Sequence, residues 1–243
     1  ALSDRLGWAI FIGTPKGQNH FHNIYQVALK NLAHDWYAAK YKASETGVIP
    51  QTELDAARRE MSKEEYDQEF ECDFSAALLG AYYGKLMTVA EESGRITNVP
   101  HDPALPVDTY WDLGMDDSTS VWFLQQVGQE YRLIDYLENS GEGLPWYAKA
   151  LSEGDRKEYG YREHVLPHDG SVRDLSSGKK RSETLRGLVP SGKVYVAPKH
   201  QPETGINSAR LLIPKCWFDR AKCEHGLKAL RNYQKKWDGK NQI

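Results

Sequence analysis

Two aspartates stand where this chain could do metal chemistry. Asp112 closes the run Thr109-Tyr-Trp-Asp-Leu-Gly-Met-Asp-Asp117, and Asp169 closes His164-Val-Leu-Pro-His-Asp-Gly170. In both cases a short apolar stretch of strand character leads into the acid, so each carboxylate is expected at the carboxyl end of a strand. If the two strands are neighbours in one sheet, the carboxylates project toward the same edge. At a separation of about 4 Å they would repel by roughly 4 kcal/mol at an effective dielectric near 20. A divalent cation between them removes that penalty. Hard oxygen ligands suit Mg²⁺ or Mn²⁺, and a pair of such ions can activate water and stabilise a leaving oxygen in phosphodiester cleavage. The bland alternative is that an Asp before Gly at a strand end is a turn residue. Asp116 and Asp117 fit an Asx-turn or a strand N-terminus equally well; one of them could bind a second metal or brace a ligand of the first, with Asp117 taken as the candidate.

Lys179, Lys180 and Arg181 follow closely after Asp169, with Arg173 and Arg186 nearby. A basic loop beside a metal site is placed to hold DNA phosphates without reading sequence, and the competing reading is a solvated loop. Three other groupings carry less. Gly187-Leu-Val-Pro-Ser-Gly192-Lys193-Val194 nearly spells a phosphate loop. Val194 stands where Ser or Thr is required, however, and a strand rather than a helix N-terminus is expected to follow. Cys216, Cys223 and His225 fall on one expected helix without a fourth ligand and read as packing residues. His20 and His22 flank Phe21 at a helix start and read as surface or capping groups.

The elements that must position these residues divide the chain. Gly7 to Ile12 reads as a buried strand, Gly13-Thr-Pro-Lys-Gly17 breaks it, and Phe21, Ile24, Tyr25, Ala28 and Leu29 recur at helical spacing. A strand is expected over Asp35 to Ser44 and helix over Pro50 to Phe70, with Thr52 as an N-cap and Ser62 to Glu65 as a capping box. Pro100, Pro103 and Pro106 mark a connection, giving segments 1–85, a linker 86–106, and 107–243. In the last segment strands are expected over Val107 to Leu113, Ser118 to Val127 and Tyr131 to Leu137, with Gly128-Gln129 as a tight reversal. Then follow helix Leu144 to Leu151, strand Glu163 to Leu166, helix Ser182 to Leu188, strand Val194 to Ala197 and a long helix from Asn207 to Trp237. Three antiparallel strands followed by alternating helices and strands are the order of a ribonuclease H-like α/β sheet.

Bulk properties exclude several classes. The longest apolar runs are far too short to span a bilayer, and the first residues lack the pattern of a signal peptide. Three cysteines at scattered spacing do not make a disulfide framework and favour a reducing, cytoplasmic setting. A net charge of −3 does not announce a nucleic-acid binder, although a local basic groove on an acidic body is compatible with one.

Trp8-Ala-Ile-Phe-Ile-Gly-Thr-Pro-Lys-Gly17-Gln-Asn-His-Phe resembles the stretch after the acidic strand of the ATPase motor in tailed-phage terminase large subunits. Glu65-Tyr-Asp-Gln-Glu-Phe-Glu-Cys-Asp-Phe74 with Gly80-Ala-Tyr-Tyr-Gly84 resembles that family's passage from motor to nuclease, and Trp111-Asp-Leu-Gly114 and His168-Asp-Gly170 resemble its first two nuclease aspartates. The resemblance runs in order along essentially the whole chain. It implies the C-terminal part of a P-loop-type ATPase domain over residues 1–85, with Gly13, Thr14 and Pro15 as the motif coupling ATP hydrolysis to DNA movement, and a ribonuclease H-like nuclease domain over 107–243. It further implies Asp112 and Asp169 as catalytic ligands of a two-metal Mg²⁺ or Mn²⁺ site. Double-stranded DNA is the implied substrate, a portal protein and a small terminase subunit the implied partners, and the host cytoplasm the implied location. The motor's phosphate loop and acidic pair, expected upstream of Leu6, are not in the chain, so ATPase activity is not expected of it alone. The family's third nuclease carboxylate, in a stretch resembling Ser-His-x-Ala-Asp after the last helix, is also missing before Ile243, and the chain reads as truncated at both ends. Competing readings are another ribonuclease H-like DNA-processing enzyme (transposase, integrase or resolvase) and a non-catalytic portal-docking module.

Overall fold

The structure is a computed structural model that describes residues 7–16, 19–30, 35–74, 80–114, 118–175 and 177–234. It divides into two compact units, residues 1–84 with 231–243, and residues 85–230.

The first unit is helical in its described parts. Asn19 caps α1 (His20–Lys30) by accepting the His22 amide at 3.2 Å. The short α2 (Ala43–Thr46) stops at Gly47, whose φ of 63° is left-handed. The helix expected over 50–70 is two: α3 (Gln51–Glu60), which begins after Pro50 rather than at a Thr52 cap, and α4 (Lys63–Phe70). The capping box at Ser62 is present, with the Glu65 amide on Ser62 Oγ at 3.2 Å and the Ser62 amide on Glu65 Oε2 at 2.7 Å. Leu54, Tyr66 and Ala43 form a small core with Ile49, Ala57 and Phe70. The strands expected over Gly7–Ile12 and Asp35–Ser44 do not form among the described residues. An apolar run becomes a strand only when a neighbour takes up its ladder of amides and carbonyls. Here Trp8 and Ile12 stay 79% and 90% exposed, and Phe11 instead stacks on Trp36 at 6.4 Å.

The second unit is a seven-stranded sheet with its helices. In chain order it contains α5 (Gly84–Glu92), β1 (Ile96–Thr97), β2 (Val107–Asp112), β3 (Ser118–Val127), β4 (Glu130–Ser140), α6 (Leu144–Ala150), β5 (Tyr161–Leu166), α7 (Arg181–Arg186), β6 (Lys193–Val196), α8 (Pro202–Leu212), β7 (Cys216–Asp219) and α9 (Glu224–Asn232). The strand order is β1-β7-β4-β3-β2-β5-β6. β2, β3 and β4 run antiparallel, with Gly128 at φ 60° turning β3 into β4. β5 then lies parallel to β2, and β6 parallel to β5. Three consecutive antiparallel strands, extended beside the first of them by two parallel strands reached through helices, make the ribonuclease H-like α/β sheet. One face buries Val107, Trp111, Val121, Phe123, Leu166 and Val194 against Tyr147 of α6, Leu151 just after it and Leu185 of α7. On Trp122 and Tyr136 lies α9, which approaches through Gly226: a Cβ there would meet Trp122 at 2.5 Å. Among the described residues no helix is long and apolar enough to cross a membrane.

Two expectations change here. Residues 86–106 hold most of α5 and all of β1, and their proline-rich end is fastened rather than loose. Buried Gln125 of β3 donates to the carbonyls of Asp102 and Leu105 at 2.8 Å each and accepts the Asp102 amide at 2.9 Å. The long helix from Asn207 to Trp237 is broken into α8, β7 and α9, with residues beyond 234 outside the described set. Pro214 ends the first helix by lacking an amide donor, and the Cys216–Asp219 run then pairs in parallel with β4 and β1.

Candidate metal centre

Neighbouring strands lead to the two sequence-predicted aspartates. β2 and β5 are adjacent and parallel, with Tyr110 opposite Val165, so their carboxyl ends lie at one edge of the sheet. Parallel neighbours are roughly 4.8 Å apart. Asp112 is the last residue of β2 and is exposed. Asp169 is not the last residue of β5, which ends at Leu166; it sits in the 3-10 turn His168–Ser171 that caps the strand. Gly170 lets this turn close down. A Cβ there would lie 2.9 Å from Leu166 Cβ and 3.3 Å from Val196 Cγ2, inside normal contact.

The oxygens of Asp169 have unequal surroundings. Oδ2 accepts from Arg181 Nη1 at 2.8 Å, while Oδ1 is buried with no hydrogen-bond partner among the described residues. A buried anionic oxygen without a donor is costly, and a cation would supply what it lacks. Arg181, expected as a DNA contact, is thus engaged with Asp169. Lys179 and Lys180 stand on the hairpin before it, which is closed by the Arg173–Lys180 bridge and by the Asp174 amide on the Lys179 carbonyl at 2.9 Å. Lys179 is exposed and Lys180 half-buried.

The register adds a carboxylate that sequence reading did not single out. Asp112 faces Ser120 on β3, and Ser120 faces Glu138 on β4, so all three share one sheet face at the same level. Tyr136 donates to Glu138 Oε2 at 2.8 Å. Burial, then the bond to Glu138 and its charge, with Asp112 adding less, push the Tyr136 hydroxyl well above the usual tyrosine range. The only sequence signal for Glu138 is strand alternation, and the cross-strand register that aligns it with Asp112 cannot be read from one chain.

Other predicted residues fall elsewhere. Asp116 and Asp117 lie outside the described residues; the base of their loop is pinched by Thr119 Oγ1, which donates to the Gly114 carbonyl at 2.7 Å and accepts its amide at 3.0 Å. Gly13, Thr14 and Pro15 belong to the first unit, where Pro15 is buried and the other two are exposed. Among the described residues, no group of three or more His, Cys, Asp or Glu side chains is assembled to hold a metal ion. Cys216 and Cys223 are not on one helix: the first is in β7 and the second precedes α9. Both are buried, with thiols on the carbonyls of Leu212 and Leu133. Burial pushes the Cys216 thiol up to about 12, so it stays protonated at neutral pH and is a poor metal ligand.

No family model matches the chain, and no curated protein matches it. Solved structures do. Among them are large terminases of phages. The large terminase of one thermophilic bacteriophage is 13% identical with a TM-score of 0.47, covering 94% of this chain and 55% of its own. The nuclease domain of the bacteriophage SPP1 large terminase, solved with Mn bound, is 14% identical with a TM-score of 0.42, covering 59% of this chain and 80% of its own. The large terminase nuclease of the thermophilic phage G20c, solved with cobalt, is 18% identical with a TM-score of 0.39, covering 60% of this chain and 80% of its own. The chain therefore spans 55% of the length of the first of these terminases.

Proposed function

We propose that this chain carries the nuclease part of a DNA-packaging terminase large subunit, a metal-dependent endonuclease that cuts concatemeric double-stranded DNA with little sequence readout. The observation that carries the proposal is the adjacency of parallel strands β2 and β5, which brings Asp112 and Asp169 to one sheet edge, with Asp169 Oδ1 buried and without a hydrogen-bond partner among the described residues. The ordered motifs along the chain point the same way. Asp112 and Asp169 would hold the metal, with Asp117 as an added ligand. Mg²⁺ or Mn²⁺, when bound as a pair, would supply the activated water and the stabilisation of the leaving oxygen. Arg181 fixes the Asp169 carboxylate, and Lys179 and Lys180 hold DNA phosphates, a contact that is sequence-independent and salt-sensitive. Residues 1–85 act as the C-terminal part of an ATPase motor, with Gly13, Thr14 and Pro15 coupling it to DNA movement. A portal protein and a small terminase subunit are the partners, and the host cytoplasm the setting.

The test is Mn²⁺-dependent plasmid nicking. Asp112→Asn is expected to abolish it, and retained activity would overturn the assignment. The protein is also expected to gain thermal stability with Mn²⁺. An ion at 100 times its Kd adds about 2.7 kcal/mol. A flat titration would favour a portal-docking module instead.

A further inference from the structure

Between β2 and β5, the strands that lead to the two aspartates, runs a buried chain of hydrogen bonds. The Trp111 indole Nε1–H donates to Thr109 Oγ1 at 2.8 Å, Thr109 Oγ1 lies 2.7 Å from His164 Nδ1, and His164 Nε2 lies 2.8 Å from the Ser191 carbonyl. Thr109 and His164 are fully buried and Trp111 nearly so. The partners dictate every proton. A carbonyl only accepts, so His164 Nε2 carries the hydrogen; Nδ1 is then the acceptor, the Thr109 hydroxyl donates to it, and the remaining lone pair takes the indole. Burial holds the ring below the usual histidine range, which keeps it in the neutral form this arrangement needs. Thr109 and His164 are direct partners in the β2–β5 ladder, and Trp111 immediately precedes Asp112.

The motif that nearly spelled a phosphate loop closes the far end. Gly192 has a φ of 92°, and a Cβ on it would stand 3.0 Å from His164 Nε2 and 3.2 Å from the Tyr161 carbonyl. A glycine is needed for the turn before β6 to settle on the imidazole.

We propose that the Trp111–Thr109–His164–Ser191 relay is a positioning device that fixes β2 against β5 and thereby sets Asp112 and Asp169 in metal-binding register. For its link to metal this rests on the nuclease reading above. Thr109→Val keeps the side-chain shape but leaves the indole and the imidazole unpaired, whereas Thr109→Ser restores the hydroxyl. In the full chain, at a temperature where circular dichroism shows all variants folded, Thr109→Val is expected to weaken Mn²⁺ binding in calorimetry by roughly tenfold or more, the scale of a lost buried hydrogen bond. Thr109→Ser is expected to bind within a few-fold of wild type. Trp111→Phe removes a single donor and provides a milder variant should Thr109→Val not fold; it is expected to fall between the two.

Amide hydrogen exchange without metal separates the two proposals. Faster exchange at Trp111–Leu113 and Leu166–Gly170 in Thr109→Val, restored in Thr109→Ser, supports the relay even if wild type binds no Mn²⁺, a result that would overturn the nuclease reading alone. Unchanged exchange, or equal loss in Thr109→Val and Thr109→Ser, overturns the relay.

Discussion

The two aspartates at the sheet edge are held by different means. Asp169 lies in a turn moulded by Gly170, with one oxygen on Arg181 and the other buried without a partner among the described residues. Asp112 is exposed at a plain strand end, and its position follows from the β2 ladder and from the row it shares with Ser120 and Glu138. The comparison separates two ways of placing a carboxylate. One fixes the side chain locally; the other fixes the backbone from which the side chain projects. The largest expected effect abolishes what the two share: Asp112→Asn and Asp169→Asn should each remove Mn²⁺-dependent nicking. Activity surviving in one alone would show that the two ends are not one site.

The second effect should appear on the Asp169 side. Gly170→Ala places a methyl 2.9 Å from Leu166 Cβ, a backbone-proximal atom that cannot swing aside. Overpacking of this kind costs about 1–3 kcal/mol. Urea unfolding should show that loss together with weaker Mn²⁺ binding. A fully stable Gly170→Ala protein would mean that the turn is looser than its contacts imply.

This contrast also decides what can be read in the sequence. β2, β3 and β4 are legible because alternation is strong and Gly128 marks the reversal between β3 and β4. Asp112 is legible for the same reason, since it directly ends its strand. Asp169 is recognisable as a residue while its exact place is not, because Pro167 stops β5 early and a turn does not announce its shape. Ile213, Cys216 and Trp217 fit a helical stripe while Cys216 and Phe218 fit a strand, and what decides for the strand is pairing with β4 and β1, which is tertiary information. Gly7–Ile12 shows the converse: its strand propensity is real, yet among the described residues it has no ladder to join.

A smaller effect probes the relay common to both ends. His164 has a lowered pKa in the folded chain because it is buried, against an ordinary value of 6.5. Below about pH 6.5 the unfolded chain therefore binds more protons than the folded one, and stability falls with acidification. Above that pH both forms of the ring are neutral, and His164 contributes no slope. Unfolding midpoints at pH 7.5, 6.5 and 5.5 should fall across the lower interval, and His164→Gln should flatten the fall. An equally steep decline in His164→Gln would assign it to other groups.

The smallest effect tests whether Arg181 acts on stability or on orientation. Its pair with Asp169 is 37% and 29% exposed, so solvent screens the attraction and the pair contributes at most about 1 kcal/mol. Arg181→Gln should thus melt close to wild type. What it should lose is definition of the Asp169 carboxylate, seen as a less favourable enthalpy of Mn²⁺ binding partly offset by entropy. If Arg181→Gln instead unfolds readily, the arginine is holding the turn itself, and Asp169, like Asp112, is placed through its backbone.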